Sequence, residues 1–453
     1  MLIKTGLRGV LRNKRRTLLT MLAISLALAT LVLMNAFMDG TNHSMFEKIV
    51  ENSGHIQLYA PGYYDESRTL PTDIAIGDLE ATLETVGGVE GVVDTTAQIR
   101  FGGMVLHGGD DMGGFFIGVE PEGAARINNL DEKVIDGEYF APGDEDVCLV
   151  GKRMAELMKL EVGDPLTVVT QTAYGALTAM DFTVKGIVYT LNPMIDEGGL
   201  ILDLEDVQRH LELPNAATAI LVVGSDMDNT IELRDRLLAT LNPDGPPVIP
   251  EEGEIALTTE ADDDLPLFAG DTIGGFEIPD EETASPTRSG FEGYTWQELS
   301  ATIIELTDFK NQAMDIIRGI MIILAAAMIA NTMLTNVFER TREIGVLMAM
   351  GARGRQIITL FLTEAVFLGL LGSLVGVALG AGVSLILAEV GIDMGSDVSS
   401  MISIPFDNVL YPLVEFNGIV QTFMLGVVMS LIAGLYPAVK AARLQPTKAL
   451  RYL

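Results

Sequence analysis

The sequence holds a single cysteine, Cys148, among its 453 residues. That excludes an internal disulfide framework, so any domain outside the cytoplasm must be held by its own core. Histidine is almost as scarce. His43, His55, His107 and His210 are scattered and make no metal-ligand spacing. No Gly-x-Ser-x-Gly elbow occurs and no Cys/His pair is suggested, so no catalytic residue and no cofactor is nominated. No Gly-x-x-x-x-Gly-Lys-Ser/Thr loop is present, which excludes ATP binding in the P-loop manner and assigns any energy source to a separate protein. Basic residues are also few: 29 Lys and Arg stand against 62 Asp and Glu, a net charge of −33.

What is abundant is uncharged apolar sequence. Thr17–Met38, Gly319–Phe338, Ala365–Ala388 and Phe416–Val439 carry no charge. A helix rising about 1.5 Å per residue crosses a hydrocarbon core of roughly 30 Å in about 20 residues, so each run is long enough for a span. The basic start would also suit a signal peptide. Its apolar region is too long for one, however, and no small-x-small cleavage site follows, so it reads as a retained span.

The few basic residues are concentrated beside these runs. Residues 1–16, 339–356 and 440–453 together hold 14 Lys and Arg and two acidic residues, Glu339 and Glu343, while the rest of the chain holds 15 basic and 60 acidic residues. Basic segments flanking spans stay in the cytoplasm. This predicts a multi-pass protein of the cytoplasmic membrane with both termini and residues 339–356 inside. The acidity belongs to the outside and argues against nucleic-acid binding there.

The expected fold is an α+β membrane protein, four transmembrane helices with a large mixed α/β extracytoplasmic domain between helices 1 and 2. The expected order is a basic amphipathic segment 1–16, a first span 17–38, an extracytoplasmic domain 39–295, a stalk plus second span 296–338, a cytoplasmic helix 339–356, a third span 357–388, an outer loop 391–415, a fourth span 416–439 and a tail 440–453. Within the outer domain, alternation predicts a strand at His55–Tyr59, an amphipathic helix at Ile74–Val86, and strands at Gly91–Arg100 and Phe115–Val119. The pattern then predicts a β-rich insert at about 130–212, and a return strand and helix at Ala219–Val223 and Thr230–Leu241. Pro243–Gly293 has 14 acidic residues and 7 prolines and reads as a solvated acidic insert. Trp296–Phe338 reads as one long helix, part stalk and part span.

Several features invite a role. Met314, Met321 and Met328 recur every seven residues, a seam that suits helix packing or an apolar cargo path. Asn331 and Asn336 can hydrogen-bond between helices, and Gly372, Gly376 and Gly380 form a small-residue ridge that suits packing or a dimer contact. Glu364 stands near the start of the third span, where a carboxylate is functional or merely snorkels. In the basic segment, Ile344, Leu347, Met348 and Gly351 share one helical face, flanked by Arg340, Arg342, Arg353 and Arg355. Such a helix rests on anionic headgroups or docks into a groove of a cytoplasmic partner.

The segments ERTREIGVLMAMGARGRQI (Glu339–Ile357), LFLTEAVFLGLLGSLVGVALG (Leu360–Gly380) and GLYPAVKAARLQPTKALR (Gly434–Arg451) resemble the FtsX-like permease domain of MacB-type ABC transporters. VCLVGKRMAELMKLEVGDPLTVV (Val147–Val169) and FTVKGIV (Phe182–Val188) resemble that family's periplasmic core domain. GHIQLYAPGY (Gly54–Tyr63) and TWQEL (Thr295–Leu299) lean toward its lipoprotein-releasing LolC/LolE branch, and the acidic insert departs from the family pattern.

The resemblance implies a non-catalytic permease, paired with a second permease (a copy or a paralogue) and driven by a separate cytoplasmic ABC ATPase dimer through mechanotransmission. It implies that Glu339–Ala352 couples to the ATPase, through Glu339, Arg340, Arg342, Glu343, Ile344, Gly345, Leu347, Met348, Gly351 and Ala352. Cargo would be a lipoprotein or another amphiphile from the outer leaflet, entering between the first two spans, with a periplasmic carrier as a candidate recipient. A second function remains open, an FtsX-like signalling subunit that activates an outside partner such as a cell-wall hydrolase. An anchored binding protein with no energy coupling is a third, disfavoured by the basic segment.

Overall fold

A computed structural model describes residues 14–226, 229–243, 245, 286–393 and 409–444. Most of the acidic insert and of segment 1–16, much of loop 391–415 and the end of the tail lie outside the described residues. In chain order the first elements are α1 (Lys14–Ser53), β1 (Ile56–Tyr59), β2 (Ala75–Ile76), α2 (Leu79–Gly87), β3 (Val92–His107), β4 (Asp110–Val119), α3 (Pro121–Asn128), β5 (Val134–Gly137), β6 (Val147–Gly151), α4 (Lys152–Met158), β7 (Pro165–Gln171) and β8 (Leu177–Val188). They are followed by α5 (Pro193–Gly198), β9 (Gly199–Asp203), α6 (Leu204–His210), β10 (Ala219–Gly224), α7 (Thr230–Leu241), β11 (Thr287–Arg288), β12 (Glu292–Thr295) and α8 (Trp296–Leu299). The last are α9 (Ala301–Glu339), α10 (Thr341–Ala349), α11 (Gly354–Val390), β13 (Ile392–Asp393), β14 (Val409–Leu410) and α12 (Phe416–Ala442).

Four helices, α1, α9, α11 and α12, are long and apolar enough to cross a membrane. The chain is thus an α+β membrane protein with a mixed α/β domain between its first and second long helices. Two compact units result, a globular one of Met45–Thr302 and a helical one built from the long helices before and after it.

The globular unit is organised by β3, whose 16 residues exceed the length of an ordinary strand. Its first half pairs with β10 and its second half with β4, while Met104–Leu106 also pair with β7. From β4 the pairing continues through β9, β6 and β8, and β8 returns to β7. Strands β3, β4, β9, β6, β8 and β7 therefore close a circuit, which removes edges that would otherwise be left unpaired. The strands of residues 130–212 do not form a sheet of their own, because closure needs β3 and β4 from outside that segment. Beyond β10 the sheet extends to β1 and β12.

Burial follows the patterns of the strands. β8 and β7 alternate buried and open positions, whereas β10 (Ala-Ile-Leu-Val-Val-Gly) is buried along almost its whole length. Phe101 and Phe116 meet edge-on at 5.4 Å in the core, with Phe182 also fully buried. Cys148 is buried as well, and burial pushes its thiol well above the ordinary thiol range, where it is no nucleophile. Burial likewise lowers His55.

Two expected helices come out differently. Ile74–Val86 is not one helix, because Ala75 and Ile76 donate their N–H groups to Pro286 and Ala217, partners far away in sequence, and the helix starts only at Leu79. The helix expected from Trp296 is broken at Ser300. A capping box closes its first turn, with Thr295 and Glu298 bonding each other's backbone, and α9 starts afresh at Ala301.

In the helical unit, small residues set the contacts. A Cβ on Gly372 would meet the Ile24 side chain at 2.8 Å, one on Gly376 the Ser25 carbonyl oxygen at 2.7 Å, and one on Gly380 the Ala29 carbonyl oxygen at 2.8 Å. Their ridge lets α11 lie directly on α1, and Ser25 Oγ donates to the Gly372 carbonyl at 3.0 Å.

Candidate functional site

The joint between α9 and α11 begins at Arg340, whose backbone (φ −100°, ψ 15°) leaves the helix while its N–H still donates to the Asn336 carbonyl at 3.1 Å. Thr341 Oγ1 donates to the Val337 and Phe338 carbonyls, covering the end of α9. α10 then runs nine residues and is stopped at Gly351 (φ +94°), where Ala352 N–H donates back to the Leu347 carbonyl at 3.0 Å. That left-handed residue followed by a back-bond is how helices commonly end at glycine. Arg353 N–H donates to Gln356 Oε1 at 2.8 Å as α11 starts.

α10 has two faces. Ile344 and Gly345 are buried, and Leu347, Met348 and Ala352 pack against the same apolar cluster, which contains Val337, Ile357, Phe361 and Ala438. The apolar face singled out by spacing is thus spent on the protein's own bundle. The face open to a partner is the opposite one, with Arg342, Val346, Ala349 and Met350 exposed. Glu339 and Gly351 are also exposed, and Glu343 is half-buried.

Behind α10 lies a partly buried polar network, centred on the buried Glu364, whose connections sequence spacing did not reveal. Arg340 Nε donates to Glu343 at 3.0 Å, and its Nη1 donates to Glu364 at 3.3 Å. Asn336 Nδ2 donates to the other Glu364 oxygen at 3.3 Å. The Arg340 guanidinium also lies over the Phe361 ring, 5.8 Å from its centre. Two sequence signals pointed to it, the carboxylate of Glu364 inside an otherwise charge-free stretch and Asn336 as a residue able to hydrogen-bond between helices.

The other nominated residues fall elsewhere in the helical unit. A cavity of about 130 Å³ lies between α1 and α9, lined by Thr20, Ile24, Met321, Leu324, Met328 and Ile329 among others, and is almost wholly apolar. It gathers two of the three seam methionines, while Met314 is half-buried further along α9 and does not line it. Asn331 is exposed. Gly372, Gly376 and Gly380 face α1. Among the described residues no group of His, Cys, Asp or Glu is placed to hold a metal ion.

Comparison with known proteins adds the following. The model of the MacB-like periplasmic core domain matches residues 17–240, and that of the FtsX-like permease C-terminal domain matches residues 316–446. The pyoverdine export ATP-binding/permease protein PvdT of Pseudomonas fluorescens is 27% identical over 99% of this chain and 59% of its own length. The uncharacterized ABC transporter permease YknZ of Bacillus subtilis is 23% identical over 99% of this chain and 98% of its own. The lipoprotein-releasing system transmembrane protein LolC of Xylella fastidiosa is 23% identical with the same two coverages, 99% and 98%. The chain spans less than two thirds of the length of the PvdT relatives it matches.

Proposed function

We propose a transport role, from the premise that the chain belongs to the ABC transporter permeases of the MacB/FtsX/LolC type. In this reading it is a non-catalytic membrane subunit of a mechanotransmission exporter in the cytoplasmic (inner) membrane. An ABC ATPase dimer on separate chains grips α10 from the cytoplasm, and a second permease completes the complex. ATP-driven closure moves the spans and the domain outside, and an amphiphile leaves the outer leaflet. The concentration of Lys and Arg beside the spans supports this orientation, with both termini and α10 inside.

The observation that carries the reading is the two-faced α10. A short helix locked into the bundle on one side and open on the other, held between two spans, is suited to receive a push from a partner and pass it on. The apolar cavity between α1 and α9 supports an amphiphilic cargo by its lining. Relatives are named for pyoverdine export and for lipoprotein release. Lipoprotein release is the preferred cargo reading here, because the two short segments that resemble the LolC/LolE branch meet in this chain: Gln57 of β1 pairs with Tyr294, and Ile56 with Thr295, in β12.

The test uses the exposed face of α10. The double variant Arg342→Glu, Val346→Asp is expected to abolish co-purification of an ABC ATPase while leaving the fluorescence of Trp296, the single tryptophan, unchanged. Full retention of the ATPase would sink the coupling role. For cargo, lipoproteins that still reach their normal location after depletion of the protein would turn the reading to signalling.

A further inference from the structure

Glu364 is the only charged residue between Gln356 and Ala388. Its side chain is 4% exposed, and both of its oxygens accept hydrogen bonds from the end of α9 and the break after it, Oε1 from Asn336 and Oε2 from Arg340. A carboxylate at that depth is costly unless paired, so its pairing is not incidental to the fold. Arg340 stands in the break between α9 and α10. One guanidinium there bonds Glu343 on α10 and Glu364 on α11, and covers the ring of Phe361 on α11. That break is also where α10 would swivel, since the backbone leaves helical geometry at this one residue.

We propose that Glu364 is a positioning residue. Acting through Arg340, it locks α10 to α9 and α11 as a single lever, so that a push on α10 moves both long helices instead of being lost by rotation at the break. The source of the push rests on the ATPase-coupling reading of α10, but the lock itself does not. Arginine suits it best, because its planar fork donates from separate nitrogens to the two carboxylates while laying a flat face over the ring, which the single nitrogen of a lysine does not.

Hydrogen exchange of the full chain in lipid nanodiscs, with no ATPase present, reads the lock directly. In Glu364→Gln and in Arg340→Lys, the amides of Ile344–Ala349 are expected to exchange about tenfold faster, while those of α12 and β3 keep wild-type rates. A purely stabilising pair would instead speed exchange through all the long helices together. Wild-type protection of α10, or a general loss of protection, overturns the proposal. Where Glu364→Gln fails to insert, Arg340→Lys, which keeps the charge and the stem, decides alone. In the complex, Glu364→Gln, buried on α11 away from the face of α10 offered to a partner, is expected to retain the ATPase but lose the coupling of ATP hydrolysis to cargo release, and unchanged coupling with a loosened α10 overturns the lever. If the wild type binds no ATPase, the coupling reading fails, and exchange alone judges the lock.

Discussion

Gly143 and Gly376 show how differently the two units are built. Gly143, in the globular unit, sits at φ +88° with nothing near where a Cβ would be. Its task is to turn the chain. Gly376, in the helical unit, lies within the regular helix α11, and a Cβ there would strike the backbone of α1. Its task is to let two helices touch. The globular unit draws its stability from burying large side chains such as Phe101, Phe116 and Phe182, because water drives them inward. Between helices in lipid that drive is missing, and close backbone approach with a few polar bonds takes its place.

Three perturbations would break or sharpen this contrast, in decreasing order of effect. Phe101→Ala should cost about 4 kcal/mol, as expected for emptying a buried aromatic site. Trp296 lies in the globular unit, so its fluorescence should show the lowered midpoint in denaturant, and an unchanged midpoint would mean that this core does not govern the unit's stability. Gly376→Val should cost about 2 kcal/mol by overpacking. Here the loss should appear in helical ellipticity in detergent, with the Trp296 midpoint unmoved, whereas Gly143→Ala, strained only by its φ, should cost about 1 kcal/mol or less.

The smallest effect concerns Asp196, which burial raises above its ordinary value of 3.8 against the opposing hydrogen bonds from Thr190 and the charge of Lys133. A raised folded value means the group's stabilising contribution is complete below the unfolded value and is lost as pH rises through the folded one. Wild type should therefore lose stability as pH rises from about 4 toward neutrality relative to Asp196→Asn, whose side-chain oxygen can still accept from Thr190. Parallel pH profiles of the two, measured by Trp296 fluorescence, would remove Asp196 from the account.

The four spans were legible because a run without charge needs no knowledge of its neighbours. Strands such as His55–Tyr59 and Ala219–Val223, and the helix Thr230–Leu241, were legible from local alternation and periodicity for the same reason. β2 was not, since Ala75 and Ile76 are strand by virtue of distant partners, Thr287 and Arg288 of β11 and a bridge to Ala217. The continuity of the sheet was hidden likewise, because β3 pairs with β4, β7 and β10 at once. In the candidate site, spacing picked out the apolar face of α10 but not the direction in which it points.

The sequence by itself determined the number of spans, the place of the globular domain between the first and second, and the family of the chain. Those depend on composition, charge and short local patterns, which survive without a partner. Only the tertiary structure decided that Ile344, Leu347 and Met348 turn inward, that Arg342, Val346 and Met350 are left outward, and that Arg340 reaches Glu364 across 24 positions of chain. A helix's periodicity identifies a face, but which neighbour covers that face is settled by packing among α9, α11 and α12, and no local pattern encodes it.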